Sequence, residues 1–141
     1  MASIPKPTYQ MRCYPERKPG EVDMEYQKRV LKFMEEQGYP RKQQDEWERD
    51  HCLTFTLPQD AEAFKKFMQD NPSATLTLHC PTKDGLRDGI SALRAINPDF
   101  VKNLTQVTFA DDPKGGLEGP KLDKAISKLF PHLKGPRLPG T

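Results

Sequence analysis

The sequence predicts an α/β fold, a short array of parallel strands with helices outside it, on three observations. LTFTLP (53–58), TLTLHCP (75–81) and LTQVTFADDP (104–113) are β-rich runs that each end in proline. A helical pattern follows each run. The first apolar core positions, Leu53, Leu76 and Val107, stand 23 and 31 residues apart, which reads as an internal repeat. Single strands that alternate with helices at such spacing run parallel, because a parallel connection needs a long crossover. Two arrangements satisfy the pattern, a closed doubly wound sheet and an open curved solenoid.

In chain order, residues 1–20 carry Pro5, Pro7, Pro15, Pro19 and Gly20. They are expected as an extended tail, since proline removes an amide donor and biases its predecessor toward extended backbone. From Glu21 to Gln37 the apolar Val22, Tyr26, Val30, Phe33 and Met34 recur at helical spacing, with acidic residues first and Gly38 just beyond. Tyr39, Pro40 and the polar residues 41–45 are expected to break that helix, and DEWERD (45–50) to add one turn presenting Trp47. Residues 21–50 thus read as a helical N-terminal cap and residues 51–141 as the strand and helix array. Asp60 suits the N-cap of a helix with Ala61, Phe64, Phe67 and Met68 inside, ending at Asn71-Pro72. The next helix carries Leu86, Ile90, Leu93 and Ile96 and ends at Asn97-Pro98. Pro120 suits the first position of the last, in which Leu122, Ala125, Ile126 and Leu129 face inward before Phe130-Pro131.

Bulk properties exclude several functions. Of 141 residues, 35% are hydrophobic and 30% charged, so the core is expected to be thin and the shape layered. Lys and Arg total 22 against 20 Asp and Glu, and residues 1–50 hold 10 of each sign. Neither half has the basic excess that displaces counterions from phosphates, so nucleic acid is not expected as a partner. No apolar window of about 18 residues exists for a membrane span, and MASIPKPTYQMRC lacks the apolar stretch of a secretory signal. Three cysteines are an odd and sparse set, which points to a reducing, cytoplasmic setting.

Leu104, Val107, Phe109 and Asp112 stand at the spacing LxxLxLxx(N/D). This resembles a leucine-rich repeat of the ribonuclease-inhibitor-like type, over roughly residues 50–141. Leu133, Pro136 and Leu138 then resemble the opening of a fourth unit. Pro58 and Pro81 occupy the place where that family has an asparagine, so the first two units are degenerate. The resemblance implies a curved parallel sheet with helices on the convex side and a concave face that binds proteins. It implies no catalysis and no cofactor.

Alternation puts Leu53 with Phe55, Leu76 with Leu78 and Val107 with Phe109 in the core. The outward rows then read Thr54, Thr77 and Thr108; Thr56, His79 and Ala110; Leu57, Cys80 and Asp111. Thr77, His79, Thr108 and Asp111 are the candidate protein-binding residues, although a threonine row also follows from the β preference of branched side chains. His51-Cys52 and His79-Cys80 contain zinc-ligand types, but Cys52 precedes its strand and Cys80 ends the next, roughly 15 Å apart at about 3.3 Å per residue. No metal site is expected. Adjacent strand residues point to opposite faces, so His79 is not placed to activate Cys80. An enzyme reading would join Cys80 to His132 or Asp111 at the C-terminal strand ends, where open α/β sheets carry their sites. Lys114-Gly115-Gly116-Leu117-Glu118-Gly119-Pro120 lacks the phosphate-loop patterns and reads as a connector. The expected function is a non-catalytic protein-binding module, an inhibitor or regulator in the cytoplasm or a bacterial effector in the host cytoplasm. A small thiol enzyme is the alternative.

Overall fold

The computed structural model describes residues 8–132. Its elements are β1 (Tyr9–Tyr14), α1 (Asp23–Glu36), α2 (Arg41–Asp50), β2 (Leu53–Leu57), α3 (Ala61–Asp70), β3 (Thr75–Cys80), α4 (Leu86–Ile96), β4 (Leu104–Phe109), β5 (Leu117–Glu118) and α5 (Gly119–Leu129). Short 3-10 turns, Lys83–Gly85 and Pro98–Asn103, precede α4 and β4. The strands form one open sheet in the order β2-β1-β3-β4-β5.

The α/β class stands, but the solenoid does not. β1 runs antiparallel to both β2 and β3, so those two share a direction, and β4 pairs parallel with β3. The three expected strands therefore all point the same way. In a solenoid each would bond to the next, whereas here β1 occupies the whole ladder between β2 and β3. Residues 9–14, expected within an extended tail, supply this central strand. The reason lies in their alternation: Tyr9, Met11 and Cys13 are buried while Gln10, Arg12 and Tyr14 are exposed. A strand with one apolar side gains burial and two ladders of backbone hydrogen bonds by entering the sheet.

Register corrects the expected rows. Leu78 lies opposite Val107 and Cys80 opposite Phe109, with an irregularity between Leu76 and Thr77. The pairing is thus displaced by two residues from the one that aligned Leu76 with Val107. A two-residue shift keeps every side chain on its own face. It moves Thr108 beside His79 and puts Gln106 beside Thr77.

The core lies between one sheet face and the helices. Phe55 packs on Phe64 and Phe67 of α3, with ring centroids 5.8 and 5.7 Å away, and Phe64 meets Phe100 edge-on at 5.5 Å. Fully burying a side chain of this size contributes about 1.5–3 kcal/mol. At Gly89 of α4 an added Cβ would sit 3.2 Å from Cys80 Sγ, Leu78 Cδ2 and Tyr9 Cδ1, so glycine permits the close approach of α4 to the sheet.

Residues 21–50 join the same core through Val30, Met34 and Trp47, while Val22, expected to cover an end of the array, is 56% exposed. The α2 helix is longer than the single expected turn. Its polar start is a solvated face carrying the i,i+4 ion pair Arg41–Asp45 at 3.2 Å, while Gln43 and Trp47 turn inward four residues apart. Gly38, at φ +74, lets the chain reverse after α1. Ahead of α1, Arg29 binds Glu21 at 2.8 Å and donates to the Glu16 carbonyl, and Tyr26 donates to the Pro15 carbonyl. These contacts tie the Pro15–Glu21 loop to α1. Asp60 does not cap α3 with its side chain. Its Oδ2 accepts from the Thr56 N–H at 2.8 Å and its own N–H donates to the Thr56 carbonyl at 2.7 Å, which closes part of the outer edge of β2. Among the described residues no helix is long and apolar enough to cross a membrane. The expected fourth repeat unit at Leu133, Pro136 and Leu138 lies outside the described residues.

Candidate functional site: the open sheet face

Alternation along each strand gives the sheet a second face that carries no helical layer among the described residues. The test is β1, which is central in the sheet. A central strand covered on both sides would be buried throughout, yet Gln10, Arg12 and Tyr14 are all exposed.

Register arranges this face in rows. One runs Thr56, Gln10, His79, Thr108, and the next Thr54, Arg12, Thr77, Gln106, Glu118. Tyr14 and Thr75 begin a third. His79 Nδ1 and Thr108 Oγ1 share a hydrogen bond of 2.7 Å, so the β3–β4 part of the face is locally braced. The threonine at 105 bonds back to the Leu76 carbonyl at 3.1 Å, across the irregular register.

On one side the C-terminal half of α2 rims the face. Together they bound a groove of about 420 Å³, with Gln10, Arg12 and Thr54 on the sheet and Glu46, Arg49 and Asp50 on the helix. Arg49 holds the Asp50 carboxyl below its usual range, and Arg12 acts in the same direction from further away. Arg12 makes no ion pair within 4 Å among the described residues, so its charge is turned to solvent over the middle of the face. Cys52 lies at the end of the groove, where burial raises its thiol against the opposing pull of Thr54 and Arg12.

Of the four residues named from sequence, three share this face and one does not. Thr77, His79 and Thr108 lie on it, with His79 and Thr108 in contact. Thr77 is only 9% exposed, so it is a floor residue and not a projecting one. Asp111 has left the sheet: its carboxylate accepts the Lys83 N–H at 2.8 Å and pins the turn before α4. Leu57 and Cys80, expected to face outward, are wholly buried on the helix side. Burial there pushes the Cys80 thiol up to about 11. Sequence reasoning missed Gln10, Arg12 and Tyr14, although the period-two pattern of residues 9–14 was the available signal. Cys13, Cys52 and Cys80 are free and buried. Among the described residues, no three or more His, Cys, Asp or Glu side chains gather in a metal-binding cluster.

Comparison with protein-family models, with curated proteins and with solved structures finds no match to this chain.

Proposed function

We propose that the chain is a non-catalytic protein-binding module that engages its partner through the open face of the sheet. The observation that carries this reading is the exposure of Gln10, Arg12 and Tyr14 on a central strand, which leaves a broad polar surface on a rigid scaffold. Its side chains are hydroxyls, amides, one imidazole, one guanidinium and, at the β5 edge, the Glu118 carboxylate, groups that hydrogen-bond across an interface when partnered. Binding by addition of a strand is less suited to this sheet, because β5 has two residues and Asp60 occupies part of the β2 edge. A partner lying across the rows meets His79, Thr108, Arg12 and Thr77 together. A thiol-enzyme reading loses support, since Cys80 faces the core and its thiolate is disfavoured. Two forms of this function fit the sequence equally, a cytoplasmic regulator or inhibitor and a bacterial effector delivered into the host cytoplasm.

The test is retention of proteins from lysate by the wild-type chain and by variants. Because Thr77 is buried, negative charge is best introduced at the exposed pair Gln10→Glu with Arg12→Glu. Unpaired charges trapped in an interface cost several kcal/mol, so a true partner is lost with this variant. The same partner remains with Lys121→Glu and Lys124→Glu on the solvent side of α5. A partner that survives the strand changes and is lost with the helix changes moves the interface to the helical layer and ends this proposal.

A further inference from the structure

A pocket of about 480 Å³ lies at the end of the open face where Tyr14 and Thr75 begin the third row, enclosed by the Pro15–Glu21 loop, the first turns of α1 and the end of α2. Three elements supply it with rings. Tyr14, 37% exposed, comes from the end of β1, Tyr26 from α1, and Trp47 and His51 from the last turn of α2 and its cap. Trp47 is 1% exposed and forms the floor, where its ring meets Tyr26 edge-on at 5.4 Å and lies 6.0 Å from the His51 ring. His51 is exposed and ends α2 at φ +58, a left-handed backbone uncommon outside glycine. Charge in the wall is compensated. Arg17 pairs with Asp23 at 2.6 Å and lays its guanidinium 4.5 Å from the centre of the Tyr26 ring. Close by, Arg29 pairs with Glu21 and Arg49 with Asp50, while Arg12 lines the neighbouring groove and not this pocket.

We infer that this pocket binds one uncharged aromatic ring that carries a hydrogen-bonding group, of the phenol or indole kind. The volume falls in the range of small-molecule sites, roughly 300–1,000 Å³. A cation is not selected, because the Tyr26 ring that would attract it already carries Arg17. An anion is not selected either, because the one cation in the wall is paired with Asp23. What remains is contact with rings, and rings pack on one another in stacked or edge-on geometries that an alkyl chain does not reproduce. Among the described residues the side chains of Gln27, His51 and Thr75 make no hydrogen bond, which leaves them to partner a hydroxyl or N–H on the ring. The ring comes either from a free molecule or from a side chain of the partner on the open face, which the pocket adjoins through Tyr14 and Thr75.

Trp47 is the only tryptophan of the chain, and its indole N–H donates to the Gln27 carbonyl, so a single NMR resonance reports on the pocket floor. The isotopically labelled protein is titrated with N-acetyltyrosinamide, p-cresol and N-acetylleucinamide. Both phenols are expected to saturate and to shift that resonance and the amides of Tyr14 and Thr75, while the leucine analogue does neither. Tighter binding of N-acetyltyrosinamide assigns the ring to a protein side chain, and tighter binding of p-cresol to a free molecule. His51→Gly removes one ring and gives the left-handed position the residue that suits it, so the fold is kept. It is expected to weaken both phenols by roughly two- to tenfold, as is Tyr14→Leu, the second variant. Gln10→Glu with Arg12→Glu leaves phenol binding unchanged, which separates this inference from the reading of the open face. Leucine-analogue binding as tight as that of N-acetyltyrosinamide, no saturation by either phenol, or wild-type affinity in both ring variants overturns it.

Discussion

The two faces of the sheet are built from alternate residues of the same strands, yet they obey different rules. On the helix side, Met11, Phe55, Leu78 and Val107 are wholly buried and fit against α3, α4 and α5. On the other side, Arg12, Thr54, His79 and Thr108 lie beside them in sequence, and His79 bonds to Thr108 along the face. The first face holds the fold together and tolerates little change. The second is more exposed, and it is the face proposed for recognition. The difference follows from one-sided burial: among the described residues the helices bury alternate side chains of β1 and β2 on one face, while α2 only rims the other.

The comparison breaks most completely if β1 is removed. Deleting residues 1–14 deprives β2 and β3 of their shared neighbour and takes three buried side chains from the core. Such a chain is expected to lose its cooperative thermal transition and its NMR dispersion. A truncated chain that still melted cooperatively would mean that β2 can pair with β3 directly, as the solenoid required.

Adjacent residues of β3 provide a sharper contrast. Leu78→Ala removes a wholly buried side chain and should cost about 2–5 kcal/mol in urea unfolding. His79→Ala, one residue on and on the open face, removes one hydrogen bond to Thr108 and should cost only about 0.5–1.5 kcal/mol. Equal losses would show that the open face is packed as tightly as the core.

A smaller effect is expected at the Pro15–Glu21 loop that leads β1 into α1. Hydrogen bonding to Arg29 holds the Glu21 carboxyl at about 2, below its ordinary value of 4.5. A depressed value in the folded state means stability that is complete above the unfolded value and is lost as pH falls through the folded one. The gap between wild type and Glu21→Gln should therefore be constant near neutrality and shrink between pH 4.5 and about 2. Urea midpoints measured across that window decide it, and a gap independent of pH would show that the pair with Arg29 contributes nothing.

Least of all, Gln10→Glu with Arg12→Glu should move stability by no more than about 0.5 kcal/mol, since both side chains are exposed. A larger shift in the melting temperature would place Arg12 among the structural residues and remove it from the proposed binding surface.

What was legible in advance depended on whether the signal was local. Three strands, the helices at 86–96 and 119–129, and the burial of Phe64, Phe67, Leu93 and Ile126 follow from short-range periodicity, which reports only which side of an element is apolar. The polar start of α2 was misread because its inward residues, Gln43 and Trp47, include a buried amide that carries no apolar signal. Asp60 has the sequence position of a helix cap, but its carboxylate is taken by the Thr56 amide at the sheet edge. Thr77, His79 and Thr108 were placed on the correct face because a two-residue slip in register preserves alternation.

By itself, then, the sequence determined the α/β class, the common direction of β2, β3 and β4, and the apolar and polar sides of their middle residues, while Leu57 and Cys80 at the strand ends turned inward against expectation. Only the tertiary structure decided which strand lies beside which. The physical reason is that strand order is a competition among non-local pairings: the Tyr9, Met11 and Cys13 side of β1 gains burial and two backbone ladders by entering between β2 and β3, and no local pattern in residues 53–80 records that a segment some forty residues earlier will take the place.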